Sequence, residues 1–190
     1  MTADFELAAP VARAIAFLRA RGADSLQHSG ANLLRHLLGT YDILAQLGAP
    51  APIALAGLVH SVHGTAAFEH AICPWNEASM IAELVGPQAA RIAWLFCRLD
   101  RRIATIGELI SGCRPSTIDR ITREPLTLAP VEVVGLAWIE AANLLEQNAL
   151  ANAPVLARCA RDWGMIGPHG FRLLATRPEA ELLLDDPAVR

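Results

Sequence analysis

The sequence predicts an all-α chain organised as one domain over residues 1–190. Apolar residues recur at helical spacing in successive segments, and glycines and prolines mark the ends of those segments. No stretch alternates apolar and polar residues over more than a few positions, as a half-buried strand would. With 53% hydrophobic and 18% charged residues, the composition is that of a globular protein with a sizeable core.

Two predicted helices open the chain. Residues 5–20 carry apolar side chains at helical spacing, and Gly22 ends that segment. The second helix begins near Ser29 or Asn32 and ends at Gly48. Two prolines follow shortly after that glycine, which is typical of the chain just beyond a helix.

The remaining segments continue the helical pattern. Residues 52–62 are almost wholly apolar, which predicts a short helix buried on all sides. Residues 101–127 are richer in Arg, Thr, Ser and Pro, and they predict short helices and loops that cover one face as a flap. A turn is predicted at the sequence GMIGPHG. The other helices are predicted over residues 76–84, 88–98, 131–149, 154–164 and 178–185.

Charge and composition exclude several classes of function. A net charge of −3 argues against a nucleic-acid partner, which favours a basic surface. No apolar stretch reaches the roughly 18 residues of a membrane span, and the N-terminus lacks a signal-peptide pattern, so a cytoplasmic location is expected. All 16 basic residues are arginines, which excludes a lysine Schiff base and a P-loop lysine.

The histidines are the main concentration of potential ligands. Five of the six lie between His28 and His70. His36 and His60 fall on two predicted helices joined by a short Gly-Ala-Pro turn, so antiparallel packing can bring them together. His60 ends an apolar run, where a buried imidazole needs a partner. The pair His36 and His60 therefore predicts a functional site. His63, His70 and His169 are interpreted as core or surface residues.

The stretch HLLGTYDILAQLGAPAPIALAGLVHS, residues 36–61, resembles the opening of the HD-domain superfamily of helical, metal-dependent phosphohydrolases. The nearest likeness is to the hydrolase domain of the (p)ppGpp synthetase/hydrolases. EASMIAELVGPQAARIAWLFCRLDR is similar to the segment that follows the motif, and GLAWIEAANLLEQ resembles the helix that carries the last metal-binding aspartate. The resemblance covers roughly residues 28–148 and implies an HD-like helical bundle.

A second resemblance is to a family of small HD-like proteins with the patterns HSG…LL.HL.GTY and AGL.HS.YGT. HSGANLLRHLLGTYDIL and LAGLVHSVHGT match them closely. Against the HD pattern, Ser61 replaces the metal-binding aspartate, and Gly64 and Thr65 replace the Glu-Asp pair of the (p)ppGpp hydrolases. Serine is a poor ligand for divalent ions, so (p)ppGpp hydrolysis is disfavoured.

The resemblance and the histidine pattern together imply a hydrolase or oxygenase that acts on a small molecule through one divalent metal ion (Fe, Mn or Zn). The expected metal ligands are His28, His36 and His60. The expected catalytic residues, of which Glu140 takes the position of the last aspartate, are Glu140, Thr65 and Asn143. The expected substrate-binding residues are Tyr41, Ser61 and Arg98. Two interpretations stay open for Arg98, Arg101 and Arg102: they bind an anionic group of the ligand, or they form a solvated helix end.

Two alternatives stay open at this point. In the first, the fold keeps a metal-free pocket that binds a ligand or performs acid–base chemistry as a lyase or isomerase, since one histidine can serve as acid or base near neutral pH. In the second, the chain is a non-catalytic interaction protein, and Trp75, Trp94 and Trp163 mark a homodimer or partner surface.

Overall fold

The computed structural model describes residues 3–28, 30–112, 116–149 and Leu156, and within them the chain is mostly helical. The helices are α1 (Ala3–Ala20), α2 (Leu33–Gln46), α3 (Ala51–Leu58), α4 (Ala78–Val85), α5 (Pro87–Arg98), α6 (Arg102–Gly112) and α7 (Pro130–Glu146), with a 3-10 turn (Trp75–Glu77) before α4. The strands are β1 (Gln27–His28), β2 (Ala31–Asn32), β3 (Ser116–Ile118) and β4 (Pro125–Thr127).

Helix α2 begins and ends where its sequence predicts. The Oδ1 atom of Asn32 accepts a hydrogen bond from the backbone N–H of Arg35 at 2.8 Å, which satisfies one of the free donors of the first turn. Gly48, just beyond the C-terminus, has φ = 77°, a left-handed conformation that glycine adopts without steric cost. Of the two predicted starts, Ser29 and Asn32, the structure has Asn32 as the residue that caps the helix, and the predicted stop at Gly48 is confirmed.

Helix α3 is the centre of the helical packing, as its apolar sequence predicts. Six consecutive residues, Ile53–Leu58, are buried, and α3 contacts α1, α2, α5 and α7. The helix ends at Leu58, four residues before the predicted end, because residues 59–64 turn back on themselves. In that turn Gly64 N–H donates to the Ser61 carbonyl, and the Val62 carbonyl accepts from two later N–H groups. His60 and His63 therefore lie in a turn and not on a helix.

Two short antiparallel ladders, β1–β2 and β3–β4, were not expected from the sequence. Strands of two or three residues are too short to produce a period-2 pattern, which explains why the prediction of no strands was wrong. The hairpin β3–β4 and helix α6 occupy most of the segment 101–127 predicted as short helices and loops. The predicted helices 154–164 and 178–185 and the GMIGPHG turn lie outside the described residues, apart from Leu156.

No helix in the described part of the chain is long and apolar enough to cross a membrane.

Candidate functional site

Three histidines from three parts of the chain lie side by side. His28 lies on β1, His36 on α2 and His60 in the turn after α3. The ring centroids of His28 and His36 are 4.3 Å apart, and those of His36 and His60 are 5.1 Å apart. The Nε2 atoms of His36 and His60 are separated by 3.2 Å. The chain thus brings together the three side chains predicted as metal ligands. We refer to His28, His36 and His60 as the histidine cluster.

The hydrogen bonds made by Nδ1 of His36 and of His60 determine whether the Nε2 atom of each ring carries a proton or a lone pair. The Nδ1 atom of His60 lies 2.7 Å from the Gly57 carbonyl oxygen, which only accepts, so Nδ1 carries the proton. The Nδ1 atom of His36 lies 2.6 Å from Oε2 of Glu146 and donates to that carboxylate. With both Nδ1 atoms protonated, each neutral ring has an unshared electron pair at Nε2. Two lone pairs therefore face each other at 3.2 Å.

Burial favours the neutral form of all three rings. Desolvation, followed by the charges of His36 and Arg102, lowers the pKa of His28 to about 4. Burial also lowers the pKa of His36, although Glu146 acts in the opposite direction. Burial and the neighbouring His36 place the pKa of His60 well below its ordinary value. At neutral pH the cluster is uncharged, which is the form in which imidazole binds a metal ion.

Two glycines of the quoted motifs make these contacts sterically feasible. A Cβ atom at Gly39 would lie 2.8 Å from Cγ of Glu146, so the missing side chain leaves the space through which Glu146 reaches His36. A Cβ atom at Gly57 would lie 2.2 Å from Cδ1 of Leu44, so Gly57 allows α2 and α3 to approach closely. The glycines in HLLGT and LAGLVH therefore have a physical role at the histidine cluster.

Several buried polar atoms near the cluster have no hydrogen-bond partner within the described protein. They are Nε2 of His28, Oγ1 of Thr40 and Oγ of Ser61. Thr40 follows His36 by one helical turn, and Ser61 follows His60 directly in the chain. Because buried polar groups are nearly always satisfied, these three atoms are candidates to bind an ion, a water molecule or a ligand.

The predicted catalytic residues on α7 are engaged by neighbours. Glu140 is 1% exposed and accepts a hydrogen bond from Nε of Arg102 at 3.1 Å. Asn143, also buried, accepts through Oδ1 from the side-chain amide of Gln147 at 2.9 Å. Arg102 contributes to the lowered pKa of all three cluster histidines, so this ion pair acts electrostatically on the cluster.

The predicted Thr65 and Tyr41 differ in their surroundings. The Oγ1 atom of Thr65 accepts from the backbone N–H of Phe68 at 3.1 Å and closes a tight turn. Tyr41 is half-buried against the hydrophobic core. Their assignment to catalysis and to substrate binding stays a prediction.

Arg98, predicted to bind substrate, is engaged by other protein groups. Its Nη1 atom donates to both carboxylate oxygens of Asp119, at 3.1 and 3.0 Å, and its guanidinium lies over the rings of Trp75 and Trp94. His63 stacks on Trp75 with ring centroids 4.6 Å apart. Two of the tryptophans proposed as a partner surface are thus half-buried in one stack, and the third, Trp163, lies outside the described residues.

The sequence did not identify Glu146 as the partner of His36, or Arg102 as the partner of Glu140. Glu146 is six residues beyond Glu140, and the pattern of α7 alone does not identify which of the two carboxylates faces His36. The available signal was Gly39, a glycine inside a helix, which often marks the close approach of another group.

The structure contains no complete metal site in a ready-made arrangement: no group of three or more His, Cys, Asp and Glu side chains among the described residues could hold an ion as it stands. Residues 17–101 match the model of a family described as a domain of unknown function, DUF6817. That segment includes all three histidines of the cluster but neither Glu140 nor Glu146. No curated protein and no solved structure matches the chain.

Proposed function

We propose that this chain is an HD-like metalloenzyme, a hydrolase or oxygenase that acts on a small polar metabolite through one divalent ion held by the histidine cluster. The observation that carries the proposal is the 3.2 Å separation of the Nε2 atoms of His36 and His60, whose lone pairs face each other. Such an arrangement is electrostatically unfavourable unless a cation or a shared proton lies between the nitrogens.

The residues present fit a metal ion in several respects. Two nitrogens bound to one ion at about 2.0–2.1 Å, with bond angles of about 90–109°, are roughly 2.8–3.4 Å apart. The Nε2 atoms of His36 and His60 are 3.2 Å apart. The carbonyl of Gly57 and the carboxylate of Glu146 hold the opposite ring nitrogens, as the outer partners of metal-bound histidines do. His28, with a buried and unpartnered Nε2 atom and a ring centroid 4.3 Å from that of His36, is the third ligand of the proposed set.

Three neutral nitrogen ligands suit Zn²⁺ or Fe²⁺ and are compatible with Mn²⁺. When bound, such an ion supplies Lewis-acid chemistry or, if it is iron, redox chemistry. The surrounding residues would hold the histidines in their orientation, and the unpartnered hydroxyl of Ser61 offers a hydrogen-bonding group to a substrate. Under this proposal the chain works in the cytoplasm on a small molecule, without nucleic-acid or membrane partners.

The turn at residues 64–65 argues against (p)ppGpp hydrolysis as the reaction of this proposed enzyme. Gly64 has φ = 74°, and a Cβ atom there would lie 2.8 Å from the backbone oxygen of Glu69. A carboxylate side chain at this position would require the backbone to move. Because Thr65 is bound to the backbone of Phe68, neither position offers the carboxylate pair of those hydrolases.

The first test is metal content, measured by mass spectrometry on protein purified without chelator or nickel affinity. We expect about one equivalent of iron, manganese or zinc, and loss of that metal in His36→Ala and His60→Ala while circular dichroism stays helical. His63→Ala is the matched control, because His63 is equally buried and its Nδ1 atom also lies 2.7 Å from a backbone carbonyl. Protein that binds none of the three metals after anaerobic reconstitution would contradict the proposal.

A metal-free acid–base enzyme is the second candidate, favoured by the continuous contact from Glu146 to His36 to His60. A carboxylate that orients one imidazole against another group is a common arrangement for moving a proton. In this case the parent protein would bind no metal, and a ligand screen would find a small molecule whose binding is lost in His36→Ala but kept in His63→Ala.

A further inference from the structure

A cavity lies between helix α6 and the β3–β4 hairpin, and none of the cluster histidines lines it. Its volume is about 540 Å³, within the usual range for small-molecule sites. One wall is formed by the start of α6 and the turn before it, and the other by the hairpin. The polar residues that line it are Asp100, Arg101, Thr105, Glu108, Ser116, Thr117 and Arg123.

Two arginines of this cavity have an unusual backbone conformation. Arg101 has φ = 41° and Arg123 has φ = 63°, and both line the cavity. Among the described residues outside glycine, only Asn148 also has a positive φ. Asparagine adopts this conformation readily, whereas a long side chain such as arginine does so at a steric cost. Strained residues of this kind concentrate at binding and catalytic sites.

The guanidinium groups of these two arginines have no internal partner in the described protein, although their backbone N–H groups are bonded. Both residues are exposed. Other arginines nearby differ: Arg98 binds Asp119, and Arg102 binds Glu140. Both arginines line the cavity, and their guanidinium groups have unused hydrogen-bonding capacity.

We infer that this cavity binds a small anionic molecule through a phosphate or carboxylate group held by Arg101 and Arg123. Guanidinium groups bind both kinds of anion with paired, charge-assisted hydrogen bonds. Ser116 and Thr117 lie on the hairpin wall. Because successive side chains of a strand point to opposite faces, one of the two hydroxyl groups can supply a further donor. Two carboxylates, those of Asp100 and Glu108, also line the cavity, and both keep their negative charge even though Oδ1 of Asp100 accepts from the backbone N–H of Arg101 at 2.9 Å. The anion must therefore bind at the guanidinium groups and not beside these two side chains. This site is independent of the histidine cluster and of any metal there.

Isothermal titration calorimetry at constant ionic strength tests the inference, with pyrophosphate and citrate as probes and chloride as the reference anion. We expect at least one of the two probes to bind with a Kd below about 1 mM. Preference for pyrophosphate would identify a phosphate site, and preference for citrate a carboxylate site. Arg101→Ala and Arg123→Gly should each weaken binding about tenfold or more, because each removes charged hydrogen bonds. Arg13→Ala, at an exposed position on α1, should bind like the parent.

Arg123→Gly also separates binding from a structural role. Glycine adopts φ = 63° without cost, so this variant should unfold at a higher temperature than the parent while it binds the anion more weakly. Failure of both anions to bind, or equal binding by the parent, Arg101→Ala and Arg123→Gly, would overturn the inference.

Discussion

His60 and His63 lie three residues apart in one turn, yet their surroundings differ in a way that matters for chemistry. Both rings are buried, and both Nδ1 atoms lie 2.7 Å from a backbone carbonyl. His63 stacks on Trp75, and Arg98 beyond that ring is neutralised by Asp119. His60 instead directs Nε2 at Nε2 of His36. Both histidines are therefore buried and anchored through Nδ1. They differ in that the Nε2 lone pair of His60 faces the Nε2 lone pair of a second histidine, His36.

The largest expected effect concerns the stack around His63. Arg98→Ala should lower the free energy of unfolding by about 3 kcal/mol or more, because it leaves the carboxylate of Asp119, 6% exposed, buried without its cation. Urea denaturation measures the change. Metal content per folded molecule should stay at the parent value, since Arg98 does not contact the histidine cluster.

Arg91→Ala is the control for that variant. Arg91 also pairs with a carboxylate, Glu132, but its side chain is 41% exposed. The loss of such a pair costs about 1 kcal/mol or less. Equal destabilisation by the two variants would contradict the distinction between the buried and the exposed ion pair.

The close approach of α2 and α3 should be the next most sensitive feature. Gly57→Ala places a methyl group where Cδ1 of Leu44 lies, so we expect a loss of about 2 kcal/mol in unfolding free energy from overpacking. Gly135→Ala is a graded control, because its Cβ would lie 3.0 Å from a terminal methyl of Ile92. If Gly57→Ala lowers the free energy of unfolding no more than Gly135→Ala does, the tighter contact at Gly57 is contradicted.

Glu146→Gln tests whether the carboxylate supports His36 as an outer partner of a metal ligand. The substitution keeps the shape of the side chain but removes its charge, and we expect metal affinity to fall about tenfold. Competition with a fluorescent chelator measures this affinity. Glu132→Gln, at the other end of α7, should have no effect, and equal affinity in all three proteins would argue against a role for Glu146.

A smaller effect is expected in the pH dependence of stability in the presence of a chelator. The pKa of His28 is about 4 in the folded chain and near 6.5 when unfolded, so the unfolded state binds more protons between these values. Stability contributed by neutral His28 is therefore present above pH 6.5 and is lost as the pH falls towards 4. Between pH 7 and pH 5, His28→Asn should lose about 1 kcal/mol less stability than the parent.

That difference is measured by urea denaturation at the two pH values. If the parent and His28→Asn lose the same stability between pH 7 and pH 5, the lowered pKa of His28 is contradicted.

The sequence determined the elements that are set by local chemistry. Asn32 and Gly48 mark the ends of α2 because a capping oxygen and a left-handed glycine act within one turn of chain. The apolar run of α3 predicted burial because six consecutive apolar residues have no polar face to expose. The adjacency of His36 and His60 followed from a short turn between two helices, which leaves little choice of packing.

Tertiary structure alone decided what those histidines contact. Glu146 reaches His36 across 110 positions of the chain, through the space left by Gly39, and no local pattern in α7 distinguishes Glu146 from Glu140. Likewise, His60 and His63 look alike in sequence, and only the packing of Trp75 against one and His36 against the other separates them. Helix ends depend on neighbours in the chain, whereas the partner of a buried side chain depends on which distant backbone approaches closely enough to reach it.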